Sequence, residues 1–176
     1  LHLQLPNWFT QDYFNETILE LAVLNKMEKL CRARIQFIAP HQSNNDDIKT
    51  VEYLIETAAL DMAMVMFNEQ GLVCGIANNI FKSNNPEANL KSNKRLVFQQ
   101  AAQKAQQENW DDALIVNKDG NIIESSIANV FWVKEGKIFT PPLSEGCVAG
   151  VMRQHIISSC SHDFEIEEKP FTYEAL

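Results

Sequence analysis

Two short turn signatures in the second half of the chain constrain its fold more than any other feature. Asn117-Lys118-Asp119-Gly120-Asn121 and Glu135-Gly136 each lie between short apolar runs. Gly and Asn readily supply the positive-φ conformations that join neighbouring antiparallel strands. The first signature predicts strands at 113–117 and 121–124, and the second predicts strands at 129–134 and 137–140. Such hairpins argue against a regular doubly wound parallel sheet. Elsewhere Thr10 reads as an N-cap, and Phe14, Ile18, Leu19, Leu21, Ala22 and Leu24 recur at helical spacing, which predicts a helix over 11–28. Residues 32–39 alternate like a strand, 41–49 read as a polar loop, and 51–55 and 63–67 read as strands. A turn at 68–71 sets the expected domain boundary, giving segments 1–68 and 69–176. Beyond it the pattern predicts a strand at 72–81, an irregular loop at 82–90, a helix at 96–109, a strand at 112–116, a helix at 150–159 and a strand at 164–168. The order is that of an α+β fold.

The chain has 176 residues, 45% hydrophobic and 22% charged, as in folded globular proteins. Its net charge of −8 argues against a nucleic-acid partner, and the densest basic run, Lys91 to Arg95, is too short to line a phosphate backbone. The cysteines at 31, 74, 147 and 160 form no CxxC pair, and the histidines form no HxxxH or HExxH pattern. No metal site is expected, and scattered thiols suit a reducing compartment. No apolar run approaches the ~18 residues of a membrane span, and no signal peptide is visible, so a cytoplasmic location is expected. The chain begins at Leu1 without a methionine and stops at Leu176 just after an expected helix start, so sequence is expected to be missing at both ends.

Chemistry concentrates between Glu124 and Arg153. Glu124 and Ser126 are followed by Asn129-Val130-Phe131. After the second hairpin comes Ile138-Phe139-Thr140, and then Val148-Ala149-Gly150-Val151-Met152-Arg153. Across its whole length this stretch resembles the signature of the class IV aminotransferases, enzymes that depend on pyridoxal phosphate (PLP). Lys91 stands in Asn89-Leu90-Lys91-Ser92, at a distance before the glutamate similar to that of the family's Schiff-base lysine. Asn93 and Lys94 replace the more usual Leu-Asn pair, which makes Lys94 a competitor for that role.

The resemblance implies an α+β, two-domain PLP fold type IV. A smaller N-terminal α/β domain over 1–68 would be followed by a C-terminal pseudo-barrel over 69–176, both incomplete, with the cofactor between the domains. Lys91 would hold PLP covalently and move protons at the substrate, which requires partial burial to free its amine. Glu124 would face the pyridine nitrogen; the bland alternative is a strand-end glutamate in water. The amides of Val151 and Met152, at a helix start, would bind the phosphate, with Met152 replacing a threonine common in the family. Ser125 and Ser126 either supply nearby hydroxyls or are solvated strand residues. Trp110 to Leu114 and Thr140 to Leu143 are expected to shape the fold, and Trp132 to lie in the core.

The family's activities split between aminotransferases of branched-chain or D-amino acids and a lyase that converts 4-amino-4-deoxychorismate to 4-aminobenzoate, a folate precursor. Gly150-Val151-Met152-Arg153-Gln154 and Ala128-Asn129-Val130-Phe131-Trp132 resemble the lyase forms, so the lyase is favoured modestly. An amino-acid-like substrate and a homodimer are implied. A family member that has lost its chemistry is the third reading.

Overall fold

The computed structural model of the chain describes residues 6–27, 29–38 and 51–175. The chain divides into two compact units between Phe67 and Asn68. In the first, helix α1 (Gln11–Leu24) begins where expected, with the Thr10 hydroxyl accepting the Tyr13 amide at 3.2 Å. It ends earlier than expected, at Leu24, and Lys26 then takes a positive φ of 57°. Strands β1 (Cys31–Ile38) and β2 (Glu52–Ala59) pair antiparallel, with Ile35 opposite Ile55. Phe9, Phe14, Phe37 and Tyr53 meet edge-on or tilted, at centroid distances from 4.6 Å for Phe9–Phe14 to 6.0 Å for Phe14–Phe37. The loop expected over 41–49 and the strand end at 39 lie outside the described residues. The strand expected at 63–67 is not formed. The Asp61 carboxylate instead accepts the Ala63 amide and caps a short 3₁₀ turn over Met62–Met64. An apolar run becomes a strand only where a neighbouring backbone pairs with it, and among the described residues none pairs with this one.

The second unit holds two three-stranded sheets. In one, β3 (Cys74–Lys82) runs parallel to β4 (Asp112–Asn117), with helix α2 (Leu96–Glu108) as the crossover. Strand β5 (Ile122–Ser125) then folds back on β4 through the first predicted hairpin. The Asn117 side chain shapes that turn, its Oδ1 accepting the amides of Asp119 and Asn121 at 3.0 Å each. In the other sheet, β6 (Trp132–Lys134) and β7 (Lys137–Thr140) form the second hairpin. Its Glu135 and Gly136 both take positive φ, as a primed turn requires. Helix α3 (Val151–Cys160) then leads to β8 (Ile166–Glu168), parallel to β7. Each sheet therefore combines one hairpin with one helical crossover.

The main core contains Ala77, Ala101, Ala105, Ala113, Ile115, Ile123 and Cys147. Small residues on the facing surfaces let α2 lie close to the sheet. The Cys147 thiol is pushed up from its usual range by burial, so it stays protonated and packs as a small apolar group. Trp132 packs against a second cluster, with its ring 3.6 Å from that of Phe171. At the start of β3 the Trp110 ring lies over Gly75, where an added Cβ would sit 2.3 Å from three ring atoms. Gly75→Ala is accordingly expected to lower stability by about 1–3 kcal/mol, read as a fall in the urea midpoint. Among the described residues no helix is long and apolar enough to cross a membrane.

Candidate active site

Glu124 is carried on β5, inside the sheet, and is only 2% exposed. The water-facing reading of this residue does not hold. Its Oε2 accepts the Val148 amide at 3.0 Å, and its Oε1 accepts the ammonium of Lys82. Val148 is fixed in turn by Asn129, whose side-chain amide donates to the Val148 carbonyl at 2.8 Å. The Asn129 oxygen packs so closely on Gly150 that a Cβ there would lie 2.1 Å from it. This contact explains a glycine at the entry to α3, where the backbone itself is ordinary helix-cap conformation.

Lys82, expected in a loop, is instead the last residue of β3 and is buried. The cause lies upstream, where the β3–β4 register shifts between Ile76 and Phe81 and Asn79 takes a φ of 69°. A bulge changes which residues of a strand face inward. Ala77 is buried before it and Lys82 after it. The Asn78-Asn79 pair was the available signal, since asparagine tolerates the left-handed region better than most residues.

One pocket of about 750 Å³ is lined by Lys82, Lys91, Glu124, Val151 and Met152, together with both Ser125 and Ser126. The structure therefore brings the sequence-predicted residues to a single cavity. The two serine hydroxyls are already engaged. Ser125 Oγ accepts the Ala128 amide at 3.0 Å, and Ser126 Oγ donates to Asp112 at 2.6 Å. Both serines are buried rather than solvated. Lys91 departs from expectation in being exposed, because it follows a short 3₁₀ turn (Pro86–Asn89) on an open loop. Lys94 lines the same pocket, its side chain 86% exposed and 3.4 Å from Glu87. Arg153, the last residue of the signature, is buried and donates to the Pro141 carbonyl at 2.9 Å and to Glu168 at 2.6 Å. It ties α3 to β8.

These features fit PLP. The first amides of α3 have no intrahelical acceptors, and Gly150 provides no side-chain cap. They are free to bind a phosphate at the positive end of the helix. Each oxygen of Glu124 holds one donor and keeps a second lone pair, so the carboxylate can still accept an N–H from an aromatic ring. The cavity has the volume of an ordinary small-molecule site.

The profile of the family described as amino-transferase class IV matches residues 2–176. The aminodeoxychorismate lyase of Vibrio harveyi is 32% identical over 107 residues, which cover 60% of this chain and 40% of that protein. The branched-chain-amino-acid aminotransferase of Pseudomonas aeruginosa is 33% identical over 73 residues, covering 41% and 24%. The chain thus spans less than half the length of these relatives. Among solved structures, the branched-chain aminotransferase of Thermoproteus uzoniensis, determined with norvaline, superposes with a TM-score of 0.78 at 21% identity, covering 98% of this chain and 58% of that one. With the signature, the fold and the profile in agreement, the chain belongs to the class IV aminotransferases, a family of PLP enzymes.

Proposed function

We propose that this chain carries the cofactor-binding part of a 4-amino-4-deoxychorismate lyase, which releases 4-aminobenzoate and pyruvate. The observation that carries the proposal is the convergence of Lys91, Glu124 and the uncapped start of α3 on one pocket. Gly150-Val151-Met152-Arg153-Gln154, Ala128-Asn129-Val130-Phe131-Trp132 and the similarity to the Vibrio harveyi lyase favour this activity.

When bound, PLP supplies an electron-poor ring that stabilises negative charge on the substrate carbon bearing the amine. The chain's own residues would divide the remaining work. Val151 and Met152 would donate their backbone amides to the phosphate. Met152 brings no hydroxyl, so the cup depends on the backbone. Glu124 would accept the ring N–H and so favour its protonated form. Lys91 would provide the amine for covalent attachment and move the proton at the substrate carbon. For the lyase, the proton removed at that carbon is balanced by loss of the leaving group at the next one. For a transaminase, Lys91 would instead return the proton elsewhere than the substrate carbon, with no leaving group lost.

The similarity to the Pseudomonas aeruginosa aminotransferase supports amino transfer to a keto acid as the second reading. Purified protein with saturating PLP is expected to release 4-aminobenzoate from 4-amino-4-deoxychorismate. Keto-acid-dependent loss of glutamate or a branched-chain amino acid, without 4-aminobenzoate, would reverse the order of the two readings. Absence of both activities, with no PLP uptake, would favour a member that has lost its chemistry. The family also leads us to propose a homodimer in the cytoplasm; light scattering measures the assembly.

A further inference from the structure

Lys82 has no part in the roles given above, yet it touches the carboxylate on which the ring-nitrogen contact depends. Its side chain is 9% exposed and that of Glu124 is 3% exposed. The two residues stand on β3 and β5, the outer strands of one sheet, and β4 runs between them. The ring of Phe98, from α2, lies 5.0 Å from the ammonium, which makes a cation–π contact on a second side. The ammonium is thus held between an aromatic face and one carboxylate oxygen.

A buried ion pair is a poor device for stability, because desolvating two charges offsets most of their attraction and an apolar pair of the same size is often as stable. This pair also lies in the wall of the pocket. Its geometry has a direct consequence for the site. Lys82 fixes Oε1 and the Val148 amide fixes Oε2, so the rotation of Glu124 is set before any ligand arrives. Preorganised charge of this kind binds and polarises a ligand without reorganising when it docks.

We propose that Lys82 is a positioning residue that acts through Glu124, holding the carboxylate aimed at the ring nitrogen. The proposal rests on the PLP reading of the pocket. Lys82 is not the amine of covalent attachment. An ammonium paired with a carboxylate has no free lone pair for attack, and the aldehyde carbon of PLP is para to the ring nitrogen. A lysine committed to the partner of one pole would stand at the wrong end of the ring for the other.

The test is a PLP titration of the intact protein, followed by absorbance, across Lys82→Met, Lys82→Arg, Glu124→Gln and the Lys82→Met/Glu124→Gln pair. Lys82→Met is expected to weaken PLP binding on the order of 10-fold, as loss of an outer partner of a binding group does. Lys82→Arg is expected to restore most of that loss. In the Glu124→Gln background, Lys82→Met is expected to cost nothing further, because its effect runs through the carboxylate. An equal loss in both backgrounds, or no recovery with arginine, would make Lys82 merely structural and overturn the proposal. Should Lys82→Met fail to fold, the arginine variant and the double variant decide, since the double variant buries no charge. A pyridoxyl group fixed by borohydride on Lys82 itself would overturn the assignment. A wild-type protein that takes up no PLP and labels on no lysine would fail the cofactor reading instead, and that result is separate from any difference between variants.

Discussion

Lys91→Ala is expected to remove turnover and the borohydride-fixed label together, with a loss of at least about 10³-fold in rate. Three lysines line the pocket, so the prediction turns on what separates them. Lys82 is already committed to Glu124. Lys94 projects into water and makes a 3.4 Å ion pair with an exposed Glu87, an interaction that contributes little. Lys91 sits on the loop between them, and among the described residues no ion pair holds it away from a ligand. Peptide mapping after reduction reads the answer directly. Label and activity surviving in Lys91→Ala, and lost in Lys94→Ala, would transfer the role to Lys94.

The second large effect is expected at Glu124. Glu124→Ala should leave PLP bound at saturating concentration, through Lys91 and the amides of α3, while slowing the chemistry by about 10²–10⁴-fold. The same change strands the Lys82 ammonium in a site where it is 8% exposed, so stability should also fall by about 3–5 kcal/mol. Glu124→Gln separates the two effects, because it keeps the shape and an acceptor oxygen while losing the charge. Rates for both variants, set beside their urea midpoints, check the prediction. Unchanged turnover in Glu124→Gln would remove the carboxylate from the reaction.

What the sequence revealed follows from how local each signal was. The hairpins at Asn117–Asn121 and Glu135–Gly136 were legible because a tight turn is decided by a few adjacent residues. The start of α1 was legible from Thr10, and the entry to α3 from the motif around Gly150. Residues 63–67 carry the apolar content of a strand without being one, because pairing depends on a partner strand far away in sequence. Lys82 was missed for a related reason. A lysine at the end of an apolar run reads as solvated, and only the bulge at Asn79 turns it inward. The serines could not be resolved, since Ser126 finds its acceptor in Asp112, on another strand. Glu124 stood out only through the motif around it, because a single glutamate carries no local mark of burial.

Asn89, two residues before Lys91, joins parts of the chain that lie more than fifty positions apart. Its side-chain amide donates to the carbonyls of Leu143 at 2.8 Å and Cys147 at 2.7 Å, and its own carbonyl accepts the Ala149 amide at 2.9 Å. The lysine loop and the approach to α3 are consequently one mechanical body. Amide hydrogens on the two segments would exchange with solvent at a common rate, and neither wall would breathe open while the other stayed shut.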